Sequence, residues 1–322
     1  MNNENGNQNI SEEPENNRES EPQLNPSMSP VAAAFFGLAA VFILYQIVGS
    51  LLTLAIFGLD FQNADINAMR LMTMAGQILF ILLPSLIFAK MIYEDVSTVL
   101  RIKLPNIKEV VAFSIGLIVL TPLLQELLYI QNYIFEILAE ASPIIQKIKE
   151  FLNEVDKIVE QTYGSLLKAD TILEGAFIVI IIAVVPSICE EVFFRGYVQK
   201  SFELKFKPFW AALITALFFG LYHFNPFGMI PLILLGLFIG YSAYMSNSII
   251  VPMVIHFLNN FIAAIAYFIY GDEELLDSSV VDMAGIGDHI INFALLALIM
   301  LTIIYFINNY YHVLTTSKKG VK

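Results

Sequence analysis

Disulfides are the first thing this chain excludes: Cys189 is the only cysteine among 322 residues, so no intramolecular pair can form. Positive charge is scarce too. With 17 Lys and Arg against 29 Asp and Glu, the net charge of −12 argues against nucleic acid as a partner, because phosphate binding needs a basic face. Residues 1–30 carry Arg18 as their sole cation, so the basic start of a cleaved signal peptide is missing and none is expected. The final run Lys318-Lys319-Gly320-Val321-Lys322 has no prenylation box, and the chain is not read as a lipidated substrate itself. No internal repeat supports an inverted-repeat transporter. No HExxH stretch supports a standard zincin.

What the chain has in abundance is apolar surface. Hydrophobic residues make up 57% and charged ones 14%, with a mean hydropathy of +0.70, a composition that belongs to membrane proteins. A helix needs about 20 apolar residues to cross the hydrocarbon core. On that ruler the expected spans are approximately Val31–Phe57, Met69–Met91, Val110–Tyr129, Leu173–Lys200, Pro208–His223, Phe227–Met245, Ile249–Tyr270 and Ile290–Tyr311. The fifth is short, and Asn225-Pro226 cuts it from the sixth. The fold class that follows is all-α, a polytopic bundle of about eight transmembrane helices lying in the bilayer. Its parts are a disordered acidic and polar tail (1–30), spans one to three (31–129), a long loop (130–172), a core of spans four to seven (173–270), an acidic loop (271–289), the last span (290–311) and a tail (312–322).

Twelve of the 17 cations fall on the side that holds both ends of the chain, which puts the termini in the cytoplasm by the positive-inside rule. Within the long loop, Ile145, Ile148, Leu152, Val155, Val159, Thr162 and Leu166 recur at helical spacing and predict an extracytoplasmic amphipathic helix. It is read as lying on the membrane or packed over the bundle, with a lid as the alternative.

The chemistry concentrates at Pro186–Lys200, where Glu190, Glu191 and Arg195 close an apolar run. Ionisable groups at membrane depth usually face a cavity or the bundle interior. Glu191 and Arg195 are four apart with the acid first, the favoured order for an ion pair on one face. Glu190 lies about 100° away and is left free. Rim glutamates with a snorkelling arginine are the alternative. His223 ends the fifth span, and His256 and Asn260 share a face of the seventh. Allowing about 1.5 Å per residue, the four polar groups reach comparable depths. Together they have the chemistry of a water-activating acid with His223 alongside, plus an oxyanion hole from His256 and Asn260. Glu190, His223 and His256 are also of the type and number that hold zinc, so a divalent metal or none are both open. Cys189 as a nucleophile is disfavoured, because a buried thiol in apolar surroundings is inert. His289 and His312 are read as interfacial, and Gly196, Gly220 and Gly240 as close-packing positions.

The runs Glu190-Glu191-x-x-x-Arg195, Phe219-x-x-x-His223 and His256-x-x-x-Asn260 resemble the three motifs of the CPBP intramembrane protease family. That family includes CAAX prenyl endopeptidases of the Ras-converting type and bacterial relatives linked to bacteriocin self-immunity. The resemblance covers about Ala183–Phe261. It implies that Glu190 and His223 activate water, that His256 and Asn260 steady the oxyanion, and that Glu191, Arg195 and Phe219 support them. The substrate it implies is a membrane-associated protein or peptide, prenylated or carrying a leader. Two rivals remain: a non-catalytic scaffold or immunity protein, and a proton or ion carrier using the same groups as a relay.

Overall fold

A computed structural model describes residues 24–58, 65–270 and 279–315. The expected disordered tail falls mostly outside these residues, as do parts of the acidic loop 271–289 and of the tail 312–322. All elements among the described residues are helices: α1 Pro30–Phe57, α2 Ile66–Tyr93, α3 Ile107–Ala141, α4 Pro143–Leu167, α5 Ile172–Glu203, α6 Pro208–Tyr222, α7 Met229–Ser246, α8 Ile250–Tyr270 and α9 Ile286–Thr315, plus one turn at Val96–Val99. Seven of them, α1, α2, α3, α5, α7, α8 and α9, are long and apolar enough to cross a membrane. Their surfaces are inverted relative to a soluble protein, with Leu51, Ile56, Ile118, Leu298 and Leu301 each about 60% exposed. That is where lipid tails would lie.

Two elements differ from the sequence expectation. The fifth apolar segment is a helix of 15 residues, about 22 Å long and short of the roughly 30 Å hydrocarbon core. It stops because Phe224 turns into the left-handed region (φ 50°) ahead of Asn225-Pro226. The third segment, by contrast, does not end near Tyr129. It runs for 35 residues, with Pro122 inside it, because no further breaker occurs between Tyr129 and Ser142-Pro143. Polar residues that read as loop are satisfied in place: Gln131 donates to the Phe227 carbonyl at 2.8 Å and Asn132 to that of Val280 at 3.0 Å.

Helix starts follow local chemistry. Asn106 with Glu109 and Thr171 with Glu174 form capping boxes at the starts of α3 and α5. Wide π turns at Ile78–Leu82 and Ile180–Val184 come directly before Pro84 and Pro186, the residues that lack an N–H and crowd the preceding turn. A third lies at Val192–Val198, directly after the paired glutamates.

The interior has two centres. One gathers Leu38, Phe193, Phe194, Tyr197, Phe202 and Phe219 from α1, α5 and α6. The other gathers Phe113, Leu117, Ile239, Val251, Ile255 and Met300 from α3, α7, α8 and α9. The short α6 packs back on α7 through glycine, since a Cβ on Gly220 would lie 2.6 Å from Ile233 Cγ1 and 3.2 Å from the Met229 carbonyl oxygen. On the cation-rich side, buried Arg101 pairs with Glu203 at 2.5 Å and donates to the Ala243 carbonyl, joining the ends of α5 and α7.

Replacing Gly220 by Val is expected to push α6 off α7 and to cost about 1–3 kcal/mol. A lowered thermal midpoint in detergent would register it; an unchanged one would mean that this helix pair is not close-packed in solution.

Candidate active site

The paired glutamates lie between two π turns of α5, and neighbouring positions on a helix diverge by about 100°. Glu191 therefore points into the seam between the two apolar centres and is fully buried, whereas Glu190 retains 12% side-chain exposure. Glu191 Oε1 accepts from Arg195 Nη1 at 3.0 Å, the pairing that the four-residue spacing predicts. The same oxygen also meets Nδ1 of His256 at 2.7 Å. Arg195, itself fully buried, donates through Nη2 to the Gly236 carbonyl of α7 at 3.1 Å. Its guanidinium lies 4.4 Å from the centroid of Phe219. A cation over an aromatic face in a desolvated setting is worth about 2 kcal/mol. Phe219 also meets His223 at 4.5 Å and, edge to face, His256 at 5.9 Å. One aromatic ring thus packs against three of the motif's polar side chains.

Glu190 has different neighbours. Its Oε1 accepts from Gln77 of α2 at 3.3 Å. Its Oε2, buried and without a hydrogen-bond partner, lies 3.8 Å from Nε2 of His223. That is too long for a direct hydrogen bond and within the span of one bridging water. His223 caps α6, and its Nδ1 meets the Phe219 carbonyl oxygen at 2.6 Å. A carbonyl only accepts, so Nδ1 carries a proton, and Nε2 is the nitrogen that faces Glu190. Asn260, one turn after His256, donates to the Ile182 carbonyl in the π turn ahead of Glu190 at 3.0 Å. It accepts from Asn259 at 3.1 Å, which fixes the amide's orientation.

Glu190 and His223 face each other, and His256, read from the sequence as an oxyanion donor or candidate metal ligand, meets Glu191 through Nδ1 and keeps Nε2 for the site. Among the described residues no three His, Cys, Asp or Glu side chains are arranged to hold a metal ion. Cys189 packs among the apolar residues of the first centre.

Sequence reasoning missed Gln77 and Gln46, which donates to the Tyr222 carbonyl at the end of α6. It also missed Tyr45, which lies within electrostatic reach of Glu190. The available signal was a lone amide inside an apolar run, a costly placement unless it is satisfied.

Residues 172–262 match the family model described as Type II CAAX prenyl endopeptidase Rce1-like. The matched segment begins with the first residue of α5 and ends just past Asn260, so it contains all three motifs and the short helix between them. It agrees with the resemblance to the CPBP proteases over that segment. No curated protein and no solved structure matches the chain.

Glu191→Ala is expected to destabilise the fold by about 3–5 kcal/mol, because it strands the buried Arg195 charge. Glu190→Gln, which leaves no buried cation unpaired, is expected to change stability by less than about 1 kcal/mol. Paired thermal melts would check this; equal losses would contradict the division of labour between the two acids.

Proposed function

We propose that the protein is a membrane-embedded endopeptidase that hydrolyses a peptide bond of a membrane-anchored polypeptide with water as the nucleophile. The observation that carries the reading is the unpartnered Glu190 Oε2 opposite Nε2 of His223, at 3.8 Å. With the His223 ring neutral, two acceptors converging at that distance take both protons of one water and leave its oxygen lone pairs free to attack. As the oxygen adds to the scissile carbonyl, Glu190 receives one proton, and it returns that proton to the leaving amine when the carbon–nitrogen bond breaks.

The oxyanion of the tetrahedral intermediate is met by Nε2–H of His256 and by the second N–H of Asn260. Because Nδ1 of His256 donates to Glu191, the ring has a second proton for Nε2 only as an imidazolium. Glu191 accepts from Nδ1 of that ring, and Arg195 and Phe219 hold the carboxylate still. The family match makes a prenylated C-terminal peptide the first substrate to try, with leader-bearing peptides next. The cation distribution supports a cell-membrane protein with both ends in the cytoplasm.

An ion carrier would string its titratable groups through the bilayer, whereas Glu190, Glu191, His223 and His256 lie within one or two contacts of each other. A scaffold that keeps these residues for stability alone has no need of a second carboxylate whose oxygen faces a histidine nitrogen 3.8 Å away across the span of one water.

The test is cleavage of a prenylated peptide by purified protein in lipid. Glu190→Gln and His223→Ala are each expected to lower kcat by about 10²–10⁴-fold. His256→Ala and Asn260→Ala are expected to lower it by about 10²–10³-fold. Wild-type turnover in Glu190→Gln would end the reading.

A further inference from the structure

The helix between the long α3 and the catalytic α5 has three distinct faces. Ile144, Ile148, Phe151 and Ile158 fall on one, and all are exposed apolar residues. Glu150, Glu154 and Lys157 fall on the second and are exposed to solvent. Leu152, Asp156, Tyr163 and Leu167 fall on the third, at helical spacings of 4, 7 and 4. Of these, Asp156 and Leu167 are buried. A helix with apolar, charged and packed faces suits the boundary between bilayer, water and protein. The single apolar stripe expected of an interfacial helix is thus divided here between lipid and the bundle.

The C-terminal end of this helix is tied to α2, the helix that holds Glu190 through Gln77. Arg70 of α2, only 3% exposed, donates through Nε to the Leu166 carbonyl at 3.0 Å and through Nη2 to the Lys168 carbonyl. These are carbonyls at the end of α4 that have no partner within the helix. Two turns further along the same face of α2, Gln77 holds Glu190. The end of α4 is therefore fixed about 10 Å from the Glu190 carboxylate, measured along α2. Tyr163, one turn before Leu167 on the same face, is 46% exposed and lies within electrostatic reach of Glu190. Three turns earlier, Leu152 helps to line an apolar cavity of about 270 Å³ with Gln131, Phe135, Pro226 and Phe227. That cavity adjoins the turn that begins at His223.

From these contacts we infer that α4 is the gate of the Glu190 site, with Arg70 as its latch and Tyr163 as the residue it presents to the bound chain. Leu152 and Tyr163 are about 16 Å apart along the helix, enough to cover roughly five residues of extended peptide between the apolar cavity and the carboxylate. The substrate class this admits is an unfolded, extended segment with an apolar side chain, entering from the lipid-facing edge of α4. The assignment rests on the reading of Glu190 as the working carboxylate, but its test does not need cleavage.

Cys189, the sole thiol, is 1% exposed and lies within electrostatic reach of Glu190 and Tyr45. Because that thiol packs in the first apolar centre, the probe is placed at the working position: in a Cys189→Ser, Glu190→Cys background the rate of modification by N-ethylmaleimide in lipid nanodiscs reports entry to the pocket, and cleavage is read separately on the parent chain. Arg70→Met and Tyr163→Ala are each expected to raise that rate at least about tenfold, roughly what the loss of one charge-assisted hydrogen bond amounts to. Ile158→Ala, on the exposed apolar face, is expected to leave it unchanged. Should Arg70→Met fail to elute as a single folded species, Tyr163→Ala decides alone. Unchanged labelling in the folded variants, or an equal rise in Ile158→Ala, would overturn the gate. Faster labelling with a parent chain that cleaves no peptide would keep the gate and sink the protease; cleavage by that chain with unchanged labelling would do the reverse.

Discussion

A single carboxylate oxygen, Oε1 of Glu191, holds this site together. It receives hydrogen bonds from Arg195 and His256 with all three side chains essentially out of contact with solvent. A charge so placed is tolerated only with a partner of opposite sign and donors in good geometry. Both conditions are met by residues from α5 and α8, while Arg195 extends the contact to the Gly236 carbonyl of α7. The pairing therefore sets the relative positions of three helices before any chemistry is considered. Its consequence for Glu190 is indirect: Arg195 is hydrogen-bonded to its neighbour, and Oε2 of the second carboxylate is left without a hydrogen-bond partner.

The bundle is shaped to make that arrangement possible. The π turns on either side of the glutamates change which residues of α5 face inward. The short α6 ends inside the protein, so His223 arrives at a helix terminus rather than along a flank, its ring pinned by the Phe219 carbonyl. Close approach of α6 to α7 at Gly220 then carries Phe219 under the arginine. Each device is local, and together they converge four polar groups at a seam between two apolar centres.

How much of this was legible beforehand depended on distance along the chain. The pairing of Glu191 with Arg195 and the shared face of His256 and Asn260 follow from helix geometry, and both could be read directly. The bond from His256 to Glu191 could not, because 65 residues separate them and either glutamate was a candidate. Gln77 was hidden for the same reason: an amide in an apolar run must find a partner, but nothing local names it. The polar residues Gln131 and Asn132 misled in the opposite sense, suggesting a loop where tertiary carbonyls let the helix continue. On α4 the expected apolar stripe proved to be shared between two faces, since a periodicity cannot say whether lipid or protein covers it.

The account's central claim is that water, freed of any competing nucleophile by the engagement of Glu191, attacks the peptide bond directly. The most direct measurement is single-turnover cleavage of a lipid-anchored peptide in ¹⁸O-water with hydroxylamine present as a trap. The account predicts a free carboxylate product carrying one solvent oxygen, with no hydroxamate at any time point. A hydroxamate, or a peptide adduct on Cys189, would show a covalent acyl-enzyme and contradict it.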